Sequence, residues 1–159
     1  MTEAAKRIIA LLRAQNKTLA TAESCTGGLL AGALTAVPGS SACFGYGFIT
    51  YSNDAKQRLL RVSIKTLALY GAVSAETASA MARGAREMAG ADLALAITGI
   101  AGPGGATAEK PLGLVYLGLA AGEWAITEKH IFSGGREKVR ASSVAAAMAM
   151  LEKHLTIDS

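Results

Sequence analysis

Four side chains with hydrogen-bonding or nucleophilic atoms, Glu23, Ser24, Cys25 and Thr26, stand together in TLATAESCTGG (Thr18 to Gly28). The stretch begins as an apolar strand and ends in two glycines that open a helix. A serine at such a bend exposes its hydroxyl beside helix N–H groups, which suits a nucleophile and a developing oxyanion. Capping of the helix by Ser24 or Thr26 is the alternative use of the same hydroxyls. GLLAG is not the GxSxG elbow of α/β-hydrolases. His130 and His154 fall late, on a strand and on the terminal helix, which disfavours a Ser-His-Asp triad. An activated Ser24 therefore requires a different base.

Lys56 is the best candidate. It follows Tyr51 in TYSNDAK, one turn into a helix. The positive end of the helix dipole disfavours an ammonium there, and burial would depress its pKa further. A neutral lysine can take a serine proton at ordinary pH. The alternative is a solvated lysine paired with Asp54 or Asn53, and Tyr51 reads equally as a strand-end core residue. The glycine loop TGIAGPGG offers backbone N–H groups to an anion. Its spacing fits neither G-x-G-x-x-G nor G-x-x-x-x-G-K-[ST], so Rossmann and P-loop readings fail and a plain turn is the competing one.

Little else in the sequence carries chemistry. Two cysteines, Cys25 and Cys43, define no disulfide framework and read as small core residues. Neither histidine has a Cys or His partner nearby, so no metal site is expected. The net charge of +4 is dispersed, with acids interleaved as in GGREKVRASS. No basic stripe interleaved with aromatics is present, so a nucleic-acid partner is not expected. Uncharged stretches are broken by Gly, Pro, Ser and Asn, which leaves no membrane span. The opening MTEAAKRIIALLRAQNK lacks the apolar block of a signal peptide, and a cytoplasmic protein is expected.

The elements that must hold these groups follow from periodicity. The 159 residues make one domain, 1–159. A helix is predicted from about Thr2 to Gln15, a strand over Leu19 to Ala22, and a helix through GGLLAGALTAVPG that stops at Pro38-Gly39. CFGYGFITYS is the next strand. NDAKQRLL opens helically with Asn53 as cap, and SIKTLALYG continues it to a glycine stop. Ser74 caps AETASAMARGAREMAG. DLALAITG is a buried strand, GLVYLGLA and WAITEKHIF pair antiparallel across the AGE turn, and a helix closes the chain from Arg136. The expectation is an α/β fold, a three-layer α/β/α sandwich with a mixed sheet. If the strands before AESCTGG, TYSNDAK and TGIAGPGG end on one side of the sheet, their loops converge on one pocket.

AESCTGG, GFITYSNDAK and TGIAGPGG…EKPLG, in that order, closely resemble the CinA C-terminal domain family, over nearly the whole chain. The stand-alone members are nicotinamide-nucleotide amidases. The resemblance implies hydrolysis of nicotinamide mononucleotide to nicotinic acid mononucleotide and ammonia, with no metal or cofactor. It turns both open readings toward catalysis: the family's nucleophile falls on Ser24, and the Tyr and Lys of its YSN-x-AK motif on Tyr51 and Lys56. The loop bordering the nucleotide falls on Thr98, Gly99 and Ala101. Thr26 and Gly27 lie in the turn whose N–H groups would meet the oxyanion or the ligand. The family's PGSS segment places Ser41 toward the ligand. Relatives carry GDR where this chain has Gly134-Gly135-Arg136, so an acidic position is missing. Arg140 is the preferred phosphate partner and Arg136 the second. Glu23 either holds the turn or orients Lys56. The pyrophosphatase-like domain fused to longer members is not expected here. A homo-oligomer is expected from the Ala- and Gly-rich helices. The rival function is a nucleotide-binding regulatory or partner domain without catalysis.

Overall fold

Small and large residues alternate along the central strands, and that alternation decides how the sheet is covered. The structure is a computed structural model that describes residues 2–157; Met1, Asp158 and Ser159 lie outside the described residues. Its strands are β1 (Leu19–Glu23), β2 (Phe44–Ile49), β3 (Leu93–Gly99), β4 (Leu114–Ala121) and β5 (Trp124–Ile131). The helices are α1 (Thr2–Ala14), α2 (Leu29–Thr35), α3 (Asn53–Leu60), α4 (Ile64–Tyr70), α5 (Ala75–Ala89) and α6 (Arg136–Ile157). A 3-10 turn spans Ser40–Ala42.

The strands form one mixed sheet in the order β2-β1-β3-β4-β5. β2 and β3 both run parallel to β1, whereas β4 is antiparallel to β3 and β5 to β4. Leu93, Leu95 and Ile97 of β3 and Val115, Leu117 and Leu119 of β4 face α1 and α6. On the other face Ala20, Ala22, Ala94, Ala96 and Ala120 meet α5, which α3 and α4 flank. The result is the expected three-layer α/β/α sandwich.

The alanine face brings backbones close together. A Cβ added to Gly118 of β4 would lie 2.4 Å from the Ala78 carbonyl oxygen of α5. One added to Gly84 of α5 would lie 1.9 Å from the Leu60 carbonyl oxygen at the end of α3. α5 is thereby clamped between sheet and α3, and α3 is fixed at the height from which Lys56 must reach.

Most expected elements are present, including the β4–β5 hairpin and the Ser74 cap, whose hydroxyl accepts from the Thr77 N–H. Three differ. α2 starts only at Leu29, after a left-handed Gly28 (φ 105) that supplies no side-chain cap, so neither Ser24 nor Thr26 caps it. Ser52, not Asn53, caps α3, accepting from the Ala55 N–H at 3.0 Å. The helix expected to run on to Gly71 is two helices, because Arg61 adopts φ 58 and stops α3. Among the described residues no helix is long and apolar enough to cross a membrane.

Candidate active site

Because β1, β2 and β3 are parallel, their carboxyl ends share one edge, and the three chemistry-bearing loops converge there as expected. They line a cavity of ≈ 270 Å³ that includes Ser24, Cys25, Tyr51, Lys56, Thr98, Gly99 and Ala101. The backbone ties behind it are short. The Ser24 N–H donates to the Ile97 carbonyl of β3 at 3.0 Å, and the Thr50 N–H donates to the Glu23 carbonyl at 2.8 Å. These bonds continue the ladders one rung beyond the strands, so the serine and the segment leading to the lysine are held in register.

Lys56 projects from the inner face of α3, one turn before the buried Leu60, and is 1% exposed. Its Nζ lies 3.1 Å from Ser24 Oγ and donates to the Thr50 carbonyl at 2.8 Å. Burial pushes its pKa down from 10.5 to about 8. Near that pH a neutral amine keeps its bond to Thr50 and still has a lone pair for the serine proton. Asp54, the alternative partner weighed for Lys56, pairs instead with Arg58 at 3.0 Å on the outer face of α3. Burial also pushes the neighbouring Cys25 thiol up to about 11, which keeps it protonated and a poor nucleophile.

Glu23 has a structural task. Its carboxylate is 1% exposed and accepts from the Leu30 and Ala31 N–H groups at 2.9 and 3.1 Å. It fills the positive end of α2, so those helix N–H groups are not free for an oxyanion. The Gly27 N–H is likewise taken, by the Ser24 carbonyl at 3.0 Å. The Thr26 N–H has no acceptor among the described residues, and the Cys25 N–H meets only its own side-chain sulfur. Thr26 is itself fully buried, and its Oγ1 is unpartnered.

The two arginines of α6 make different contacts. Arg140 does not line the cavity; its Nε donates to the Cys25 carbonyl at 3.0 Å and its Nη2 to the Thr26 carbonyl at 3.3 Å. In a trans peptide the N–H points opposite to the C=O, so the grip on Cys25 aims the Thr26 N–H away from the guanidinium. Arg140 braces the turn, and with Arg136, Leu29 and Glu137 it also lines an adjoining cavity of ≈ 520 Å³. Arg136 does line the Ser24 cavity, donating to the Tyr51 hydroxyl at 3.0 Å and to the Gly102 carbonyl at 2.9 Å. Tyr51 is 61% exposed, so it is no core residue; it stands at the rim, bonded to Arg136 and not inserted between Lys56 and Ser24.

Thr98 is pinned by donation to the Ala72 carbonyl at 2.7 Å. Ser41 is not brought to this cavity. It lies on the 3-10 turn before β2, at the amino edge of the sheet, in a separate cavity with Thr18, Tyr46 and Gly90. A residue before a parallel strand is carried to the opposite end from a residue after one. Ala72 and Val73 also line the Ser24 cavity without having been singled out, and Asn53, weighed as a helix cap or a partner for Lys56, lines it as well. Gly105 falls at the end of the TGIAGPGG loop and Asn53 in TYSNDAK, whereas Ala72 and Val73, in the short link before Ser74, carried no signal. Among the described residues no group of three or more His, Cys, Asp or Glu could hold a metal ion.

Comparison with known proteins agrees with this architecture. A sequence profile of the CinA C-terminal domain matches residues 1–155. A CinA-like protein from Geobacter sp. (strain M21) is 54% identical over 149 residues, 94% of this chain but 36% of that protein. The chain thus spans about a third of the length of the curated relatives it matches. A solved competence-damaged protein (CinA) superfamily member from Klebsiella pneumoniae superposes with a TM-score of 0.94 at 39% identity, covering 98% of this chain and 97% of that one. The competence/damage inducible protein CihA of Agrobacterium tumefaciens gives 0.93 at 46% identity, covering 98% and 94%.

Proposed function

The chain belongs to the CinA C-terminal domain family, and on that premise we propose that it is an amidohydrolase of the nicotinamide-nucleotide amidase kind, cleaving the carboxamide of nicotinamide mononucleotide. The observation that carries this reading is the Ser24–Lys56 contact of 3.1 Å with a buried lysine whose pKa is lowered to about 8. Neutral Lys56 takes the Ser24 proton as Oγ attacks the carboxamide carbon. The oxyanion meets the N–H groups of Cys25 and Thr26 in the turn that Arg140 braces. Lys56, now an ammonium, gives its proton to the amide nitrogen as the C–N bond breaks and ammonia leaves. Water, deprotonated by the same lysine, then cleaves the acyl-enzyme to release the carboxylate and restore the serine hydroxyl. The phosphate lies toward Arg136, whose charge is presented at the cavity rim. Tyr51, accepting from Arg136, keeps its own O–H free for the ligand.

The test is ammonia release from nicotinamide mononucleotide by wild type and Ser24→Ala, with ligand binding followed by calorimetry. Wild type should turn over, and Ser24→Ala should bind but lose at least ~10³-fold in rate. Binding without release by well-folded wild type would instead favour a nucleotide-binding regulatory domain.

A further inference from the structure

Arg136 lines the Ser24 cavity and also the adjoining cavity of ≈ 520 Å³, whose other walls are Leu29, Glu137, Arg140 and Ala141. The two spaces therefore meet at one guanidinium. A ligand with its carboxamide at Ser24 and its phosphate at Arg136 occupies the first. Whatever continues beyond that phosphate enters the second.

Size does not close the second cavity to a longer nucleotide. It has about twice the volume of the first, and Leu29 and Ala141 offer apolar contact to a second nucleoside. Charge is what distinguishes it. Arg140 is positive, but its Nε and Nη2 are committed to the Cys25 and Thr26 carbonyls. It could turn to a second phosphate only by letting go of the bend that carries Ser24. The Glu137 carboxylate, by contrast, has no hydrogen-bond or ion-pair partner among the described residues. The walls thus hold two positive charges and one negative. A phosphate at Arg136 neutralises the surplus, and a second phosphate would meet an arginine and a carboxylate whose fields cancel. A second phosphate then leaves water with no net charge to compensate it, which is how a site rejects a ligand it has room for.

We propose that Glu137 is a specificity-determining residue, cancelling the charge of Arg140 in the adjoining cavity and so favouring mononucleotides over dinucleotides, which carry a second phosphate. This rests on reading the Ser24 cavity as the amidase site. Glu137 also stands in the first turn of α6, where a carboxylate suits the helix dipole. A carboxylate serving the dipole alone would affect both kinds of nucleotide alike, so the ratio between them separates the two roles.

The test compares ammonia release from nicotinamide mononucleotide and from nicotinamide adenine dinucleotide, as a ratio of kcat/KM values, in wild type, Glu137→Gln and Glu137→Asp. Wild type should favour the mononucleotide. At low salt Glu137→Gln should narrow that preference about fivefold, the factor carried by one close unit-charge contact in water. Glu137→Asp should keep most of the preference, and the narrowing in Glu137→Gln should shrink as added salt shortens the Debye length. A wild type without preference, an unaltered ratio in Glu137→Gln, or a narrowing that salt does not touch would overturn the assignment. If wild type released no ammonia from either nucleotide, the amidase reading would fail. The ratio of calorimetric Kd values for the same two nucleotides would then test Glu137 separately, with the same expected shift and the same overturning results.

Discussion

Thr18 precedes β1 and Ser24 follows it, and the structure treats the polar groups around them in opposite ways. At the amino end, Asp92 accepts from both the N–H and the Oγ1 of Thr18, at 2.8 and 2.9 Å. Its own N–H donates back to Thr18 Oγ1 at 3.1 Å. At the carboxyl end, among the described residues, an amine is buried without a carboxylate, the Thr26 N–H faces no acceptor, and the hydroxyls of Thr26 and Thr50 are buried without partners. One end matches its groups to each other; the other leaves a buried amine without a countercharge and buried hydroxyls unmatched. The amino end should therefore answer to mutation in stability, and the carboxyl end in turnover.

Lys56→Met tests this most severely. Turnover should fall at least ~10³-fold while the protein becomes more stable at neutral pH. The pKa of Lys56 falls from 10.5 to about 8 on folding, so between those values the unfolded chain holds a proton that the folded chain lacks. Wild-type stability should accordingly rise with pH across that window and bear the full penalty below it, on the order of 3 kcal/mol. Urea titrations of both proteins between pH 7 and 10.5 measure the closing gap; a constant gap would mean that Lys56 is not the group that titrates. The wild-type kcat/KM should rise with pH through about 8.

Arg140→Ala comes next. If Arg140 aims the turn, kcat should drop about 10- to 100-fold with KM much less affected. A change confined to KM would return it to the role of phosphate anchor, and the same assay on Arg136→Ala should show that KM effect. The smallest effect belongs to the amino end. Asp92→Asn should cost about 1 kcal/mol by urea titration and leave kcat and KM unchanged. Its carboxyl is held below the usual range by the Thr18 bonds, so the contribution is present above the unfolded pKa and is lost as pH falls through the folded one. Loss of turnover in Asp92→Asn would erase the contrast between the two ends.

Much of this layout was readable before any coordinates. Alternation of Ala with Leu in DLALAITG announced a strand buried on both faces, and AGE between two apolar runs announced the hairpin. Convergence of the loops is conditional in the sequence on three strands ending on one side, and the parallel pairing of β2 and β3 with β1 meets that condition. What escaped the reading depends on where one group points in space. Gly28 delays α2 through a left-handed φ that any glycine can adopt or refuse, and with it the duty of capping passes to Glu23, seven residues from Leu30. Arg136 and Arg140 stand one turn apart on the same helix, and only the position of the Cys25 and Thr26 carbonyls distinguishes them. Ser41 was placed by likeness of motif, whereas topology sends it to the other edge. Arg61 ended a helix that its neighbours would have prolonged, by a backbone angle that propensity for arginine gives no reason to expect.

The rung between Thr50 and Glu23, together with the bond from Ser24 to Ile97, makes the spacing of nucleophile and base a lattice constant of the sheet. Side-chain flexibility then has little say in it, and neither does the ligand. The permissible history of the gene follows. An inserted or deleted codon between Glu23 and Gly28, or between Thr50 and Lys56, shifts one reactive atom by a whole residue against the other and cannot be absorbed locally. The exposed segment 106–109, outside the lining of the cavity, can lengthen or shorten without moving either. Length variation among descendants of this chain should collect there and be missing from the two short bends.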